Sequence, residues 1–263
     1  MSGRPSTRSV VPQPGMVSFI GAGPGDPELI TVKGQRLIRE ADLVLYAGSL
    51  VPRAVVACAK AEARVLDSAS MTLEETHALM RDAALAGQNV ARVHTGDPML
   101  YGAAREQMCL LKQDGIPCRV VPGVSAAFAA AAAAGASLTV PECVQSLALT
   151  RLDGRTPVPD GQSVREYARH GGSLAVYLSG GMPDALVREL RAAGVDEDCP
   201  ILLASRVGQP EEKLAWATLA TLEKTAAGGD FSRRTVFLVL PGEKACPGAV
   251  SRLYDKDFSH GYR

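Results

Sequence analysis

Short apolar runs alternate with amphipathic segments along the first half of the chain. Strands buried in a parallel sheet form short, almost continuous apolar runs, whereas helices packed on such a sheet have apolar residues every three to four positions. The alternation therefore predicts a domain with a mostly parallel sheet over residues 17–140. The predicted strands are Val17–Gly21, Leu43–Tyr46, Arg64–Leu66, Asn89–Thr95 and Cys118–Val121, and the predicted helices are Thr31–Ala41, Met71–Ala86, Tyr101–Gln113 and Ala126–Ala134.

A break in this pattern near residues 136–145 predicts a domain boundary, and a second series of strands and helices follows over residues 146–245. The alternating run Lys213–Thr218 is typical of a strand exposed on one face, which indicates a mixed sheet. We therefore expect an α/β protein with two α/β domains. The other strands predicted in the second domain are Ser146–Arg151, Ser173–Leu178, Pro200–Ser205 and Thr235–Leu240, with helices at Ser163–Arg169, Pro183–Ala193 and Leu219–Ala227.

The composition limits the partners that the protein can have. Hydrophobic residues make up 46% of the chain and charged residues 21%, and 28 basic residues balance 28 acidic ones. Because nonspecific nucleic-acid binders usually carry a basic excess, we expect no nucleic-acid partner. No apolar run is long enough to span a bilayer, and residues 1–16 are polar and contain prolines. We therefore expect a cytoplasmic protein without membrane contact, with a disordered N-terminus and a tail over residues 246–263.

The six cysteines are dispersed along the chain and form no Cys-x-x-Cys pair. Because zinc sites usually need such pairs or closely spaced histidines, we expect no metal site. We interpret the cysteines mostly as small buried residues in a reducing compartment.

Three glycine-containing turns follow predicted strands of the first domain: Gly21–Pro27, Gly96–Gly102 and Pro122–Ala126. In open α/β sheets, ligands bind at the carboxyl ends of the strands, where such turns lie. Glycine lets the backbone turn sharply and approach a ligand closely, while Asp97 offers a carboxylate. The turns therefore predict a ligand site at this edge of the sheet.

Two other interpretations of these turns have weaker support in the sequence. A dinucleotide fingerprint in the first turn would place its third small residue at Asp26, where a carboxylate would repel a pyrophosphate. The third turn is similar to the nucleophile elbow of a serine hydrolase, with Ser125 as the nucleophile, but Ala127 replaces the final glycine. The base of such a hydrolase would be His77, His94, His170 or His260, although we interpret His94 as a packed strand residue.

The order and spacing of the three turns resemble those of the tetrapyrrole methylases, and the resemblance extends from Val17 to about Gly242. It implies a two-domain enzyme that transfers a methyl group from S-adenosylmethionine to a tetrapyrrole carbon, with the cofactor in a cleft between the domains. The resemblance implies cofactor contacts at Pro24, Gly96, Asp97, Leu100, Tyr101, Gly102, Ser125, Ala126, Tyr177, Leu178, Ala204, Arg206 and Val207.

Three further segments, Tyr46–Val51, Ala148–Pro157 and His170–Ser179, resemble the members of this family that methylate precorrin-4 at C-11 in cobalamin biosynthesis, either metal-free or with cobalt. Such a substrate carries several carboxylates, which call for basic side chains. The candidates for binding them are Arg151, Arg155, Arg53 and Lys33. The family also suggests a homodimer. Methyl transfer depends mainly on holding the reactants in line, which explains why the sequence shows no obvious catalytic triad. A general base for removing a proton is not identified by the sequence, and a noncatalytic tetrapyrrole-binding module is an alternative.

Overall fold

The computed structural model describes residues 13–245 together with Ser251 and Phe258. The chain divides into two compact units, one ending at Ser125 and the other beginning at Ala126. The predicted disorder of residues 1–12 and most of the predicted tail over residues 246–263 lie outside the described residues. Gly15 and Met16, which belong to the N-terminus predicted to be disordered, are bonded to the first unit: the Gly15 N–H donates to the Ala84 carbonyl at 2.8 Å and the Met16 N–H donates to the side chain of Asn89.

The first unit contains a five-stranded sheet in the order β3-β2-β4-β1-β5, and every neighbouring pair is parallel. This confirms the predicted parallel sheet. The strands are β1 Val17–Gly21, β2 Leu43–Tyr46, β3 Arg64–Asp67, β4 Val90–His94 and β5 Cys118–Val121, and the helices are α1 Val32–Glu40, α2 Arg53–Val56, α3 Leu73–Leu85 and α4 Ala104–Gln113.

Alternation along the strands divides the core of this unit between the two faces of the sheet. Ile20 and Val44 belong to one apolar cluster, whereas their strand neighbours Phe19 and Leu45 belong to the other. Because β1 and β4 are central strands, all of their residues are buried. The loops that follow the strands therefore emerge together at the carboxyl edge of a rigid sheet.

The second unit contains a mixed five-stranded sheet in the order β6-β7-β10-β8-β9, as predicted. β6 and β7 are parallel, and the other neighbouring pairs are antiparallel. The strands are β6 Leu147–Arg151, β7 Ser173–Tyr177, β8 Pro200–Ser205, β9 Lys213–Thr218 and β10 Thr235–Val239, and the helices are α5 Ala126–Ala134, α6 Val164–Ala168, α7 Pro183–Ala192, α8 Leu222–Ala227 and α9 Gly242–Ala245.

The alanine-rich helix α5 belongs to the second unit, whereas the sequence places the boundary after it, near residues 136–145. Its small side chains let it approach β10 closely, and Ala127 and Ala130 are fully buried. The first turn of α5 is also held within this unit, because the Ala127 N–H donates to the Tyr177 hydroxyl at 3.1 Å. These contacts explain why the boundary precedes the helix.

Among the described helices, none is both long and apolar enough to cross a membrane. Within residues 13–245, we find no group of three or more histidine, cysteine or acidic side chains arranged to hold a metal ion. The cysteines differ from the expectation: Cys199 is buried, Cys58 and Cys118 are half-buried, Cys109 is exposed, and Cys143 is disulfide-bonded.

Candidate functional site

The three glycine turns of the first unit meet at the carboxyl edge of its sheet. The Gly96 N–H donates to the Gly23 carbonyl at 2.8 Å, and the Gly23 N–H donates back to the Gly96 carbonyl at 3.3 Å. At Gly123, an added Cβ would lie only 2.1 Å from the Gly96 carbonyl oxygen. Since a contact that short is sterically forbidden, the third turn packs against the second turn through bare backbone. The three turns therefore form one connected structure.

Asp97 joins the second turn to the third. Its Oδ1 accepts a hydrogen bond from the Met99 N–H at 2.8 Å, and its Oδ2 accepts one from the Gly123 N–H at 3.0 Å. Hydrogen bonds from backbone N–H groups to a carboxylate are stronger than those between neutral groups. Sequence reasoning assigned Asp97 to the cofactor and missed this link between the turns.

The other predicted cofactor residues of the first unit surround these turns. Pro24 is buried in the first turn, Leu100 and Gly102 are half-buried, and Tyr101 is 45% exposed with a φ of 54°. Ser125 ends the unit and is 8% exposed. The structure thus brings Pro24 and the second-turn residues to the carboxyl edge on which the ligand site was expected.

His94 ends β4 immediately before the second turn, and it is 4% exposed. Its ring stacks on Phe19 with a centroid distance of 5.8 Å. Burial, assisted by the positive charge of Arg92, lowers the pKa of His94 to about 3. His94 is therefore a neutral, packed strand residue, as predicted. A histidine with so low a pKa is a poor base for a serine hydrolase.

A second group of predicted cofactor residues lies at one edge of the sheet in the second unit. β7 and β8 run in the same direction, because both are antiparallel to β10, so the residues that follow them emerge at the same edge. Leu178 follows β7 with a φ of 54° and 70% exposure, and Arg206 follows β8 with a φ of 50°. Leu178 is therefore an exposed apolar side chain on a backbone held in an unfavourable conformation.

The remaining members of that group are more tightly packed. Ala204 is fully buried within β8, and Val207 is 5% exposed. The Arg206 guanidinium forms an ion pair with Asp230 at 3.2 Å, and its backbone N–H donates to the Arg234 carbonyl. Ala126 is half-buried at the start of α5, beside the N–H that contacts Tyr177. The cofactor contacts expected in a cleft between the two domains stay a prediction.

Arg151, the first candidate for binding substrate carboxylates, ends β6 and holds its own loop. Its Nη1 donates to the Thr156 carbonyl at 2.9 Å and its Nη2 donates to the Pro157 carbonyl at 2.8 Å. Arg155 lies in the same loop and is exposed. In the first unit, Arg53 begins α2 and Lys33 lies in the first turn of α1, and both are exposed. Each unit therefore contains candidate substrate-binding residues at or near the end of a helix or strand.

Asp67 is a further residue that sequence reasoning missed. It ends β3, and its Oδ1 accepts hydrogen bonds from the Gly48 N–H at 2.9 Å and the Ala69 N–H at 2.8 Å. The carboxylate therefore holds the loop Ala47–Val51, called the β2 loop below. The available signal was an acidic residue at the end of a short strand, although nothing in the sequence pairs it with Gly48.

Comparison with known proteins places these features in context. The family model described as Tetrapyrrole (Corrin/Porphyrin) Methylases matches residues 16–223. A cobalt-precorrin-4 C(11)-methyltransferase of Priestia megaterium is 43% identical over 250 residues, which cover 93% of this chain and 96% of the relative. A precorrin-4 C(11)-methyltransferase of Pseudomonas aeruginosa is 44% identical over 248 residues, which cover 94% and 98%.

Solved structures give the same picture. The X-ray structure of a cobalt precorrin-4 methyltransferase, a cobalamin biosynthetic enzyme, matches with a TM-score of 0.83 and 43% identity, covering 85% of this chain and 94% of that one. A uroporphyrin-III C-methyltransferase from Thermus thermophilus, solved with S-adenosylhomocysteine, matches with a TM-score of 0.71 and 31% identity, covering 86% and 92%.

Proposed function

The chain belongs to the tetrapyrrole methylase family, and we propose that it transfers a methyl group from S-adenosylmethionine to C-11 of precorrin-4 in cobalamin biosynthesis. The observation that carries this proposal is the likeness, over more than nine-tenths of the chain, to relatives named for that reaction. Relatives named for the metal-free and for the cobalt-containing substrate match almost equally well, at 44% and 43% identity. The metal state of the substrate is therefore the part of the proposal that needs a direct assay.

The chemistry needs little from the protein beyond positioning. S-adenosylmethionine supplies an activated methyl group on a sulfonium, and a carbon of the reduced tetrapyrrole is the nucleophile. The protein must hold the sulfur, the methyl group and the carbon in line and exclude water. This requirement agrees with a site built from backbone turns, in which no residue is assigned as a catalytic acid or base.

The residues at the two sheet edges fit these tasks. We assign the backbone of the second turn, with Tyr101 and Ser125, to the methionine part of the cofactor, where the anionic Asp97 also favours a positive ligand. In the second unit, the exposed Leu178 provides apolar surface for the adenine. Arg155, Arg53 and Lys33 supply positive charge for substrate carboxylates, and Arg151 supports the loop that carries Arg155.

A methyl-transfer assay tests the function directly. The purified protein is incubated with S-adenosylmethionine and either metal-free or cobalt-loaded precorrin-4, and the product is examined by mass spectrometry and by NMR of the new methyl group. We expect a mass increase of one CH2 group and a methyl at C-11. Binding of either substrate without methyl transfer would instead identify a noncatalytic tetrapyrrole-binding module.

A fluorophosphonate probe tests the serine hydrolase alternative. Such probes label an activated serine nucleophile, so labelling of wild type that disappears in Ser125→Ala would favour a hydrolase. We expect no labelling, because Ser125 is buried and His94 has a strongly lowered pKa.

We further propose that the enzyme works as a cytoplasmic homodimer. Large apolar side chains are exposed on both units, including Val32 at 87% and Trp216 at 47%, and a second copy of the chain could cover them. Light scattering coupled to size-exclusion chromatography gives the mass directly, and a monomer at micromolar concentration would contradict the dimer. Cell fractionation tests the location.

A further inference from the structure

Arg92 is an unusual residue in the interior of the first unit. It lies in the middle of the central strand β4 and is only 6% exposed. Burial lowers the pKa of Arg92 to about 10, so the guanidinium remains charged at neutral pH. Its hydrogen bonds end on three neutral oxygens, those of Gln107, Ser68 and the Leu45 backbone. Placing a charge in such an environment is costly, and an apolar side chain would fill the same space more cheaply.

One arm of the Arg92 guanidinium reaches the end of the second turn. Its Nε donates to the Gln107 Oε1 at 2.9 Å, and the Gln107 Nε2 donates to the Ala103 carbonyl at 3.0 Å. Ala103 precedes α4 with a φ of 48°, which is unfavourable for alanine, and no side chain caps the helix there. The Gln107 side chain therefore stabilises the strained backbone of Ala103, and Arg92 fixes the orientation of the Gln107 side chain.

The other arm reaches the start of the β2 loop. The Arg92 Nη1 donates to the Ser68 Oγ at 2.7 Å and to the Leu45 carbonyl at 3.4 Å. The Ser68 Oγ in turn donates to the Tyr46 carbonyl at 3.1 Å. Ser68 also adjoins Asp67, whose carboxylate accepts the Gly48 N–H. This arm therefore supports the end of β2, from which the β2 loop starts, and Ser68, the residue next to the Asp67 carboxylate that bonds the loop.

We propose that Arg92 is a positioning residue, whose buried guanidinium fixes the second turn and the β2 loop in one geometry relative to each other. The inference rests on the proposed function, since the second turn is assigned to the cofactor. A hydrophobic residue at this position would preserve the core but would leave the two loops without a common support. The arrangement uses one planar group with several donors, a role that lysine cannot reproduce.

Hydrogen exchange in the full-length, ligand-free chain tests whether Arg92 stabilises the second turn and the β2 loop, and it needs no ligand. The informative amides are those of Met99 and Leu100 in the second turn and those of Leu50 and Val51 in the β2 loop, all of which are hydrogen-bonded. In Arg92→Met, we expect both pairs to exchange about tenfold faster or more, the effect of losing one hydrogen bond to a charged group. Amides of β1 should keep their protection.

Two further variants each remove one arm of the hydrogen-bond network around Arg92. Gln107→Leu should accelerate exchange at Met99 and Leu100 only, and Ser68→Ala should do so at Leu50 and Val51 only. Because Gln107 and Ser68 also bond these segments directly, the two variants assign each arm to one loop, and Arg92→Lys, which keeps the charge without the two-armed guanidinium, tests Arg92 itself if Arg92→Met does not fold. Arg119→Met is the matched control, because Arg119 also donates from its Nε to a serine of the same sheet, Ser18, at 2.8 Å. It should leave both loops unchanged.

Titration with S-adenosylhomocysteine tests whether the hydrogen bonds of Arg92 affect cofactor binding. We expect the dissociation constant to rise about tenfold in Arg92→Met and in Gln107→Leu, and to stay unchanged in Arg119→Met. Unchanged exchange in both loops of the Arg92 and Gln107 variants would overturn the inference. Faster exchange with unaltered affinity would support the positioning of the loops and would count against the proposed cofactor site instead.

Discussion

Replacement of His94 by leucine should make the first unit more resistant to acid. In the folded protein the pKa of His94 is lowered to about 3, mainly by burial, whereas an unfolded histidine titrates near 6.5. Between these two values the unfolded chain binds one proton more than the folded chain does, so stability rises with pH in this window. The contribution is fully present above about pH 6.5 and is lost progressively as the pH falls towards 3.

The size of the effect follows from the same two values. One proton is worth about 1.4 kcal/mol per pH unit, so His94 should account for a loss of about 2–3 kcal/mol between pH 6 and pH 4. His94→Leu removes this contribution. The leucine removes the buried His94 Nε2, which has no hydrogen-bond partner among the described residues, and the loss of the ring's hydrogen bond to the Gly102 backbone lowers the stability by the same amount at both pH values. The variant should therefore lose about 2–3 kcal/mol less than the wild type over this range.

Native-state hydrogen exchange of the β1 and β4 amides measures the opening free energy of this unit separately from that of the second. The measurement is made at both pH values for wild type, His94→Leu and His170→Gln, the last being a control for the loss of one exposed histidine. Other ionisable groups cancel in the comparison between wild type and variant. Equal loss of stability in wild type and His94→Leu would refute the assignment of a neutral, buried histidine.

Two further predictions concern the candidate site. Asp97→Ala should raise the dissociation constant for S-adenosylhomocysteine and lower the stability by about 1–3 kcal/mol, because both turns lose a hydrogen bond to the carboxylate; Ser125→Ala should also weaken binding without unfolding the protein. Calorimetry showing wild-type affinity in both variants would remove them from the cofactor site. Arg151→Ala should raise the KM for the tetrapyrrole several-fold while cofactor affinity stays the same, since its guanidinium holds the loop that carries Arg155. Steady-state kinetics with both KM values unchanged would contradict this role.

The elements that the sequence predicts best are those whose pattern is local. Strands β1 and β2 have the predicted bounds, because each is a short, mostly apolar run followed by turn residues. Thr72 and Glu75, a pair at the spacing that favours a capping box, also form one at the start of α3. Helix α2 was missed because four residues are too few to show a helical period. The fold class thus follows from periodicity, while the shortest elements depend on tertiary contacts.

In the candidate site, too, the sequence predicts the features that depend on local patterns and misses those that depend on tertiary contacts. The glycine turns are visible in the sequence, since glycine marks positions at which the backbone turns or is closely approached. The partners of the charged side chains are not visible. Asp97 accepts a hydrogen bond from a residue 26 positions away, and Arg92 bonds to residues 15 and 24 positions away. Such pairs depend on the way strands are ordered in the sheet, which no local pattern specifies.

Several site residues that were named only by resemblance share an unusual backbone conformation. Tyr101, Leu178 and Arg206 all have φ values between 50° and 54°, in the region that non-glycine residues rarely occupy. Such conformations cost of order 1 kcal/mol or more each, and they persist where the surrounding structure enforces them, which is frequent at binding sites. Ala103, Glu142 and Arg234 share this conformation but were not assigned to the cofactor. Strain alone therefore does not identify a site, and Tyr101, Leu178 and Arg206 stay predicted cofactor residues in loops that the surrounding structure holds in a costly conformation.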